Sequence, residues 1–233
     1  VDLSWITLCT TVAAGILFWG CAEPMYHMYA PAVAEGVEAG SAGAALFAMK
    51  AMFLEWTWSP YSIYTVATVL FAFVFYNMRQ SFSIGSAFIP VFGEKVKNYS
   101  GIIDIICLFA LVLGMTASLG TGTLTMAGGI EKVFGIESGP VSWGVIIVAI
   151  VVTFIISSIS GVMKGIRRLS SLNGQVYLLL LVFLLIFGPT AFMLNFAVES
   201  FGAYLESFFG ISLLTGAITE DSWAMSWPVF YWC

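Results

Sequence analysis

Charge is what this sequence has least of: 9 % of its 233 residues are Asp, Glu, Lys or Arg, where soluble proteins carry about a quarter. That shortage excludes an ordinary water-soluble domain. Histidine is nearly missing too, His27 being the single one, so no His-rich metal centre can be assembled. Neither H-E-x-x-H nor G-x-S-x-G occurs, and no pair of buried carboxylates is expected for acid–base work. The chain is therefore expected not to be an enzyme. Eight bases stand against thirteen acids and form no patch of the kind nucleic acid requires, so no nucleic-acid partner is expected. Cys9, Cys21, Cys107 and Cys233 have neither C-x-x-C nor metal-ligand spacing, and all lie in or beside apolar runs, so no disulfide framework is read. Gly120 and Gly122 have no strand before them and no phosphate-binding lysine after them, which removes a nucleotide site. The first apolar run lacks a basic n-region and ends at Glu23-Pro24 rather than at a small-residue cleavage site, unlike a signal peptide.

What is abundant is apolar surface. Hydrophobic residues make up 60 % of the chain and the mean hydropathy is +0.99. A spanning helix needs about 20 apolar residues, and five uncharged runs of that order occur between flanking charges, at 3–22, 56–78, 105–130, 138–163 and 169–198. A sixth begins near Trp223. The reading is an all-α, polytopic protein of the cell membrane, with five full spans and the start of another. Lys and Arg mark cytoplasmic loops. Arg79, Lys95 and Lys97 in one loop, and Lys164, Arg167 and Arg168 in another, alternate with acidic connections carrying Glu23, Glu35 and Glu38, or Glu199, Glu206, Glu220 and Asp221. The first span is thus expected to run outward. Without an initial methionine, and with an aromatic run at its end, the chain is expected to be an internal fragment.

Two segments are expected to lie along the membrane. Residues 196–214 place Glu199 and Glu206 on one helical face, with Phe201, Tyr204, Leu205, Phe208 and Phe209 for apolar contact; 41–54 is a weaker second. Ionisable groups at membrane depth mark ion pathways, but Glu23, Glu55 and Asp104 stand at span ends and are expected as solvated charge. His27 is expected as a loop residue at the outer surface. This disfavours a pump with an acidic relay. Small and hydroxyl residues at 114–123 and 157–161 suit close helix packing.

The densest feature is E-W-T-W-S-P-Y-S-I-Y at 55–64. Quaternary ammonium groups bind best to the faces of Trp and Tyr, at about 0.5–2 kcal/mol per contact. Tyr61 and Tyr64 share a helical face, and a phase reset at Pro60 would turn Trp56 onto the same side. From the residues alone, an aromatic belt at the membrane interface is the commoner reading; a cation cage is the alternative. Glu55 either adds negative charge for a cation or lies among headgroups.

Several stretches in order resemble the betaine/choline/carnitine transporter family: A-G-I-L-F-W-G-C-A-E-P at 14–24, W-T-W-S-P-Y-S-I-Y at 56–64, I-D-I and T-A-S-L-G within 103–120, G-V-M-K-G-I-R at 161–167, and W-P-V-F-Y-W at 227–232. The resemblance implies a secondary transporter of the leucine-transporter type, built from inverted repeats around a midplane site. Residues 1–195 would form the first five-helix repeat, 196–219 an interfacial helix, and 220–233 the start of the second repeat. It implies transport of an onium solute such as betaine, choline or carnitine, with Trp56, Tyr61 and Tyr64 as three walls of a cage whose fourth wall lies beyond Trp232. Where many members carry Gly-x-Gly-x-Gly, residues 11–15 read Thr-Val-Ala-Ala-Gly. Ala13 and Gly15 would then face the substrate there. Cys9, Val12, Thr116 and Ser118 would be cation positions if sodium is the coupling ion, with helix packing the alternative for Thr116 and Ser118 and exchange without sodium the alternative for coupling; members are commonly homotrimers. No other cofactor is implied. Two alternatives stay open: a transporter of the same fold for an amino acid or other zwitterion, and a non-transporting membrane subunit in which the aromatics only anchor.

Overall fold

A computed structural model describes residues 14–159 and 162–232. Among them the regular structure is helical throughout. Helix α1 spans Ala14–Tyr29 and leads through a 3-10 turn, Val33–Glu35, to α2, Ala42–Trp56. Ser41 caps α2, its hydroxyl accepting from the Ala44 N–H at 3.2 Å, which satisfies one of the first unpaired amides. Helix α3, Trp58–Ala72, ends in a π-helical turn at Phe73–Asn77. The following loop holds α4, Ile89–Phe92. Then come α5, Ser100–Phe134, α6, Pro140–Ile159, α7, Val162–Phe187, α8, Thr190–Ser212, and α9, Ser222–Trp232.

Four helical stretches among the described residues are long and apolar enough to cross a membrane: Ala42–Asn77, Ser100–Phe134, Pro140–Ile159 and Arg168–Phe187. The expected first span, 3–22, lies partly outside the described residues. The second begins earlier than the charges suggested. Glu55 does not end it, because α2 and α3 run on as one helical stretch, broken only at Thr57 (φ −120°, ψ −115°). The break is at Thr57, not at Pro60, which sits in the first turn of α3, where its missing N–H removes no helical bond. The Thr57 hydroxyl donates back to the Phe53 carbonyl. The run at 169–198 is also divided: Gly188 and Pro189 separate α7 from α8, since proline cannot continue the i→i−4 ladder.

The described residues form two compact units, 14–22 with 116–159 and 162–198, and 23–115 with 199–232. In the first, α6 and α7 form the helical body, their aliphatic faces largely exposed. In the second, a core of Phe47, Ala51, Leu54, Tyr204, Ile211, Trp223 and Ala224 is closed off from solvent. Tyr204 is fully buried, stacked on Phe53 at 6.0 Å and tilted against Trp58 at 5.9 Å. The apolar face expected of 196–214 is therefore split: Phe201 and Tyr204 meet protein rings, while Leu205 and Phe209 stay exposed. Asp104 does not stand free either. It accepts from the Ser83 hydroxyl at 2.6 Å and the Gly85 N–H at 2.9 Å, and docks the 78–99 loop on α5. A Cβ at Gly85 would lie 2.6 Å from the Ser100 carbonyl oxygen, so only glycine allows that approach.

Candidate functional site

The aromatic stretch falls on both sides of the break at Thr57. Tyr61 and Tyr64, one turn apart on α3, sit with ring centroids 6.1 Å apart and are exposed. Tyr61 also lines a shallow groove of about 420 Å³ with Trp58, Ser62, Thr65 and Val66. Trp58 points instead to α8, within 6.1 Å of Phe201 and 6.0 Å of Phe208. Trp56, the last residue of α2, turns elsewhere. Its indole N–H is shared between the Glu23 oxygens at 3.0 and 3.1 Å, and its ring meets Tyr231 at 5.5 Å. The structure brings the two tyrosines together; among the described residues no ring contact joins Trp56 to them.

The positions expected around the first span divide similarly. Cys9, Val12 and Ala13 lie outside the described residues. Gly15 is in the first turn of α1. Thr116 and Ser118 lie in α5 and are exposed, and the Ser118 carbonyl accepts from the Thr121 hydroxyl at 3.0 Å.

A second constellation was not foreseen from the sequence. Glu23, His27 and Glu55 are buried at 0, 0 and 1 % exposure, and one ligating atom from each lies within 4.8 Å of the others. This overturns three expectations: His27 is no surface loop residue, Glu23 and Glu55 are not solvated, and buried paired carboxylates do exist. The reason is local. Glu23 and His27, four apart on α1, share a face, and that face meets Glu55 in the last turn of α2. His27 Nε2 stands 3.2 Å from Glu55 Oε2 and 3.5 Å from Glu23 Oε1. Its Nδ1 accepts from the Trp223 indole at 2.9 Å. Phe47 and Trp227 close the ring in, at 6.4 and 4.6 Å.

Helix α9 completes the enclosure. Asp221 fixes its start, accepting from the Trp223 N–H at 3.1 Å and from the Ala34 N–H at 3.2 Å. The Lys50–Glu35 pair, at 2.6 Å, pins the neighbouring turn to α2. Near the other end of α9 the Tyr231 hydroxyl donates to Glu23 Oε2. Glu23 thus gathers the donors of Trp56 and Tyr231, whereas Glu55 Oε1 is buried with no partner. Two ionised carboxylates at such separations repel by about 3–4 kcal/mol at an effective dielectric constant of about 20. The sequence signal for this cluster was present in the spacing of Glu23 and His27, but nothing in one dimension placed Glu55 and Trp223 beside them.

The family model described as betaine/carnitine/choline family transporter matches residues 2–233. The chain belongs to the betaine/carnitine/choline transporter family. It is 34 % identical over 219 residues to the ectoine/hydroxyectoine transporter of Virgibacillus pantothenticus, covering 94 % of this chain and 43 % of that protein. Against the glycine betaine transporter OpuD of Bacillus subtilis it is 33 % identical over 235 residues, 99 % of this chain and 46 % of the relative. Against the betaine/ectoine transporter LcoP of Corynebacterium glutamicum the figures are 33 % over 236 residues, 98 % and 37 %. The chain thus spans less than half the length of these family members. Membership accords with the all-α, membrane-crossing architecture described above.

Proposed function

We propose that the chain supplies part of a secondary transporter that carries an onium solute of the betaine type by alternating access. The observation that carries this reading is membership of the betaine/carnitine/choline transporter family across residues 2–233. The chemistry agrees with it. A trimethylammonium group donates no hydrogen bonds and is held by aromatic faces, and Tyr61 and Tyr64 present two such faces side by side. In the transporting state Trp56, Tyr61 and Tyr64 are the cage walls, which requires Trp56 to leave Glu23 and Tyr231 or the solute to bridge the break at Thr57. Sodium is the proposed coupling ion, and a homotrimer the proposed assembly.

Competition uptake by the gene product containing this chain, with and without sodium, tests the proposal. Betaine uptake is expected to depend on sodium, and Trp56→Leu and Tyr64→Leu should each raise the apparent KM about 2- to 30-fold, the equivalent of losing one cation–π contact of about 0.5–2 kcal/mol. Unchanged affinity for every onium solute in both variants would sink the cage. A zwitterion with a delocalised cation is the second reading, favoured by the two relatives named for ectoine; in that case ectoine should outcompete choline. Cross-linking in native membranes tests the trimer, which would show as a band of three copies.

A further inference from the structure

The enclosure around His27 decides what the Glu23–His27–Glu55 cluster is able to bind. An indole N–H only donates, so at 2.9 Å from Trp223 Nε1 the Nδ1 of His27 must be the bare, accepting nitrogen. The remaining proton of the neutral ring is then on Nε2, directed at Glu55 Oε2 at 3.2 Å. This tautomer is assigned from the hydrogen-bond network. It has two consequences. Nε2 has no lone pair to offer a metal, and a metal-bound histidine needs its other nitrogen to donate outward, which the opposing indole donor forbids. Equally, the ring carries no positive charge to offset two carboxylates that are both closed off from solvent.

The two acids are not equivalent. Glu23 is supplied with donors by Trp56 and Tyr231, as an ionised carboxylate requires. Glu55 receives the His27 N–H and lies in side-chain hydrogen-bond contact with Glu23, a contact that two carboxyl groups make only when one of them carries a proton, and its Oε1 has no partner although it is buried. An unpartnered oxygen on a buried anion costs far more than one on a neutral acid. The titratable groups facing Glu55 are Glu23 and His27, with Tyr231 beyond them.

We propose that this cluster is a proton-binding site, in which Glu55 carries the proton, Glu23 is its ionised neighbour, and Trp223 keeps the proton off His27. Proton release from Glu55 sets two buried carboxylates against each other, and the least costly relief is separation of Glu55 from Glu23. Because Glu23 also receives Trp56 and Tyr231, that separation loosens α1 from both α2 and α9. The site therefore ties proton occupancy to the contacts that hold Trp56. It stands independently of which solute is carried.

The test is infrared difference spectroscopy on the purified gene product containing this chain, titrated through neutral pH. The expected result is the carbonyl stretch of a protonated carboxyl group that is lost in Glu55→Gln, an isostere of the neutral acid, and kept in Glu199→Gln, an exposed control. Trp223→Phe removes the donor opposite Nδ1, lets His27 take the proton as an imidazolium, and should abolish or strongly weaken the same band without touching either acid. Should Glu55→Gln fail to fold, the wild-type band and its response to Trp223→Phe decide the matter. No protonated-carboxyl band in the wild type, a band that survives both substitutions, or a stoichiometric metal lost in Glu55→Gln would each overturn the proposal.

Discussion

Polar side chains are accommodated in two different ways in this protein. On α5 and α6 they bond backward to their own helix: Thr125 to the Thr121 carbonyl at 2.8 Å and Thr153 to the Ala149 carbonyl, also at 2.8 Å. Each needs only the turn it stands on. Around Glu23 the bonds instead cross between α1, α2 and α9, joining residues 33, 196 and 208 positions apart. The first kind forms wherever a helix forms. The second exists only when three helices are in place, so it can report on their arrangement and change with it. An apolar helix thus tolerates hydroxyls almost anywhere, whereas buried ionisable groups demand a built enclosure.

The contrast is broken most sharply at Glu23. Glu23→Ala removes the shared acceptor of the half-buried Trp56 and Tyr231 donors, two bonds to a charged group at about 1.5–3 kcal/mol each, and should lower stability by about 3–5 kcal/mol, read as the shift in thermal unfolding of the detergent-solubilised protein; a loss under about 1 kcal/mol would place the cluster with the self-bonded hydroxyls. Tyr231→Phe removes one donor to a charged acceptor, and a loss of about 1.5–3 kcal/mol is expected in the same assay. The smallest effect belongs to the other region: Thr153→Ala, at an exposed position on α6, should stay within about 0.5 kcal/mol. If Thr153→Ala proved as costly as Tyr231→Phe, the distinction between the two regions would collapse.

Much of the architecture was readable in one dimension because it is set by local rules. Uncharged runs near 105–130 and 138–163 became α5 and α6, since a helix is the form in which an apolar segment satisfies its own backbone in lipid. The pairing of Tyr61 with Tyr64 followed from helical spacing alone. Boundaries were less readable where proline and glycine act: the break near the tryptophans fell at Thr57 rather than Pro60, and Gly188-Pro189 divided an apolar run that composition shows as continuous. Charge at a span end reads in one dimension as solvated. That rule failed for Glu23 and Glu55, because solvation at a helix end depends on what packs over it, and here α9 does.

The sequence by itself determined that this protein is helical, crosses a membrane and belongs to a transporter family, because hydropathy over some twenty residues and the order of its motifs are properties of neighbours in the chain. Only the tertiary structure decided that Trp56 faces Glu23 and Tyr231 while Tyr61 and Tyr64 face outward. It alone turned Glu23, His27 and Glu55 from three scattered charges into one buried cluster. The physical reason is that burial and hydrogen-bond partnership are set by which helix faces meet, and for His27 and Trp223 that meeting joins residues 196 positions apart.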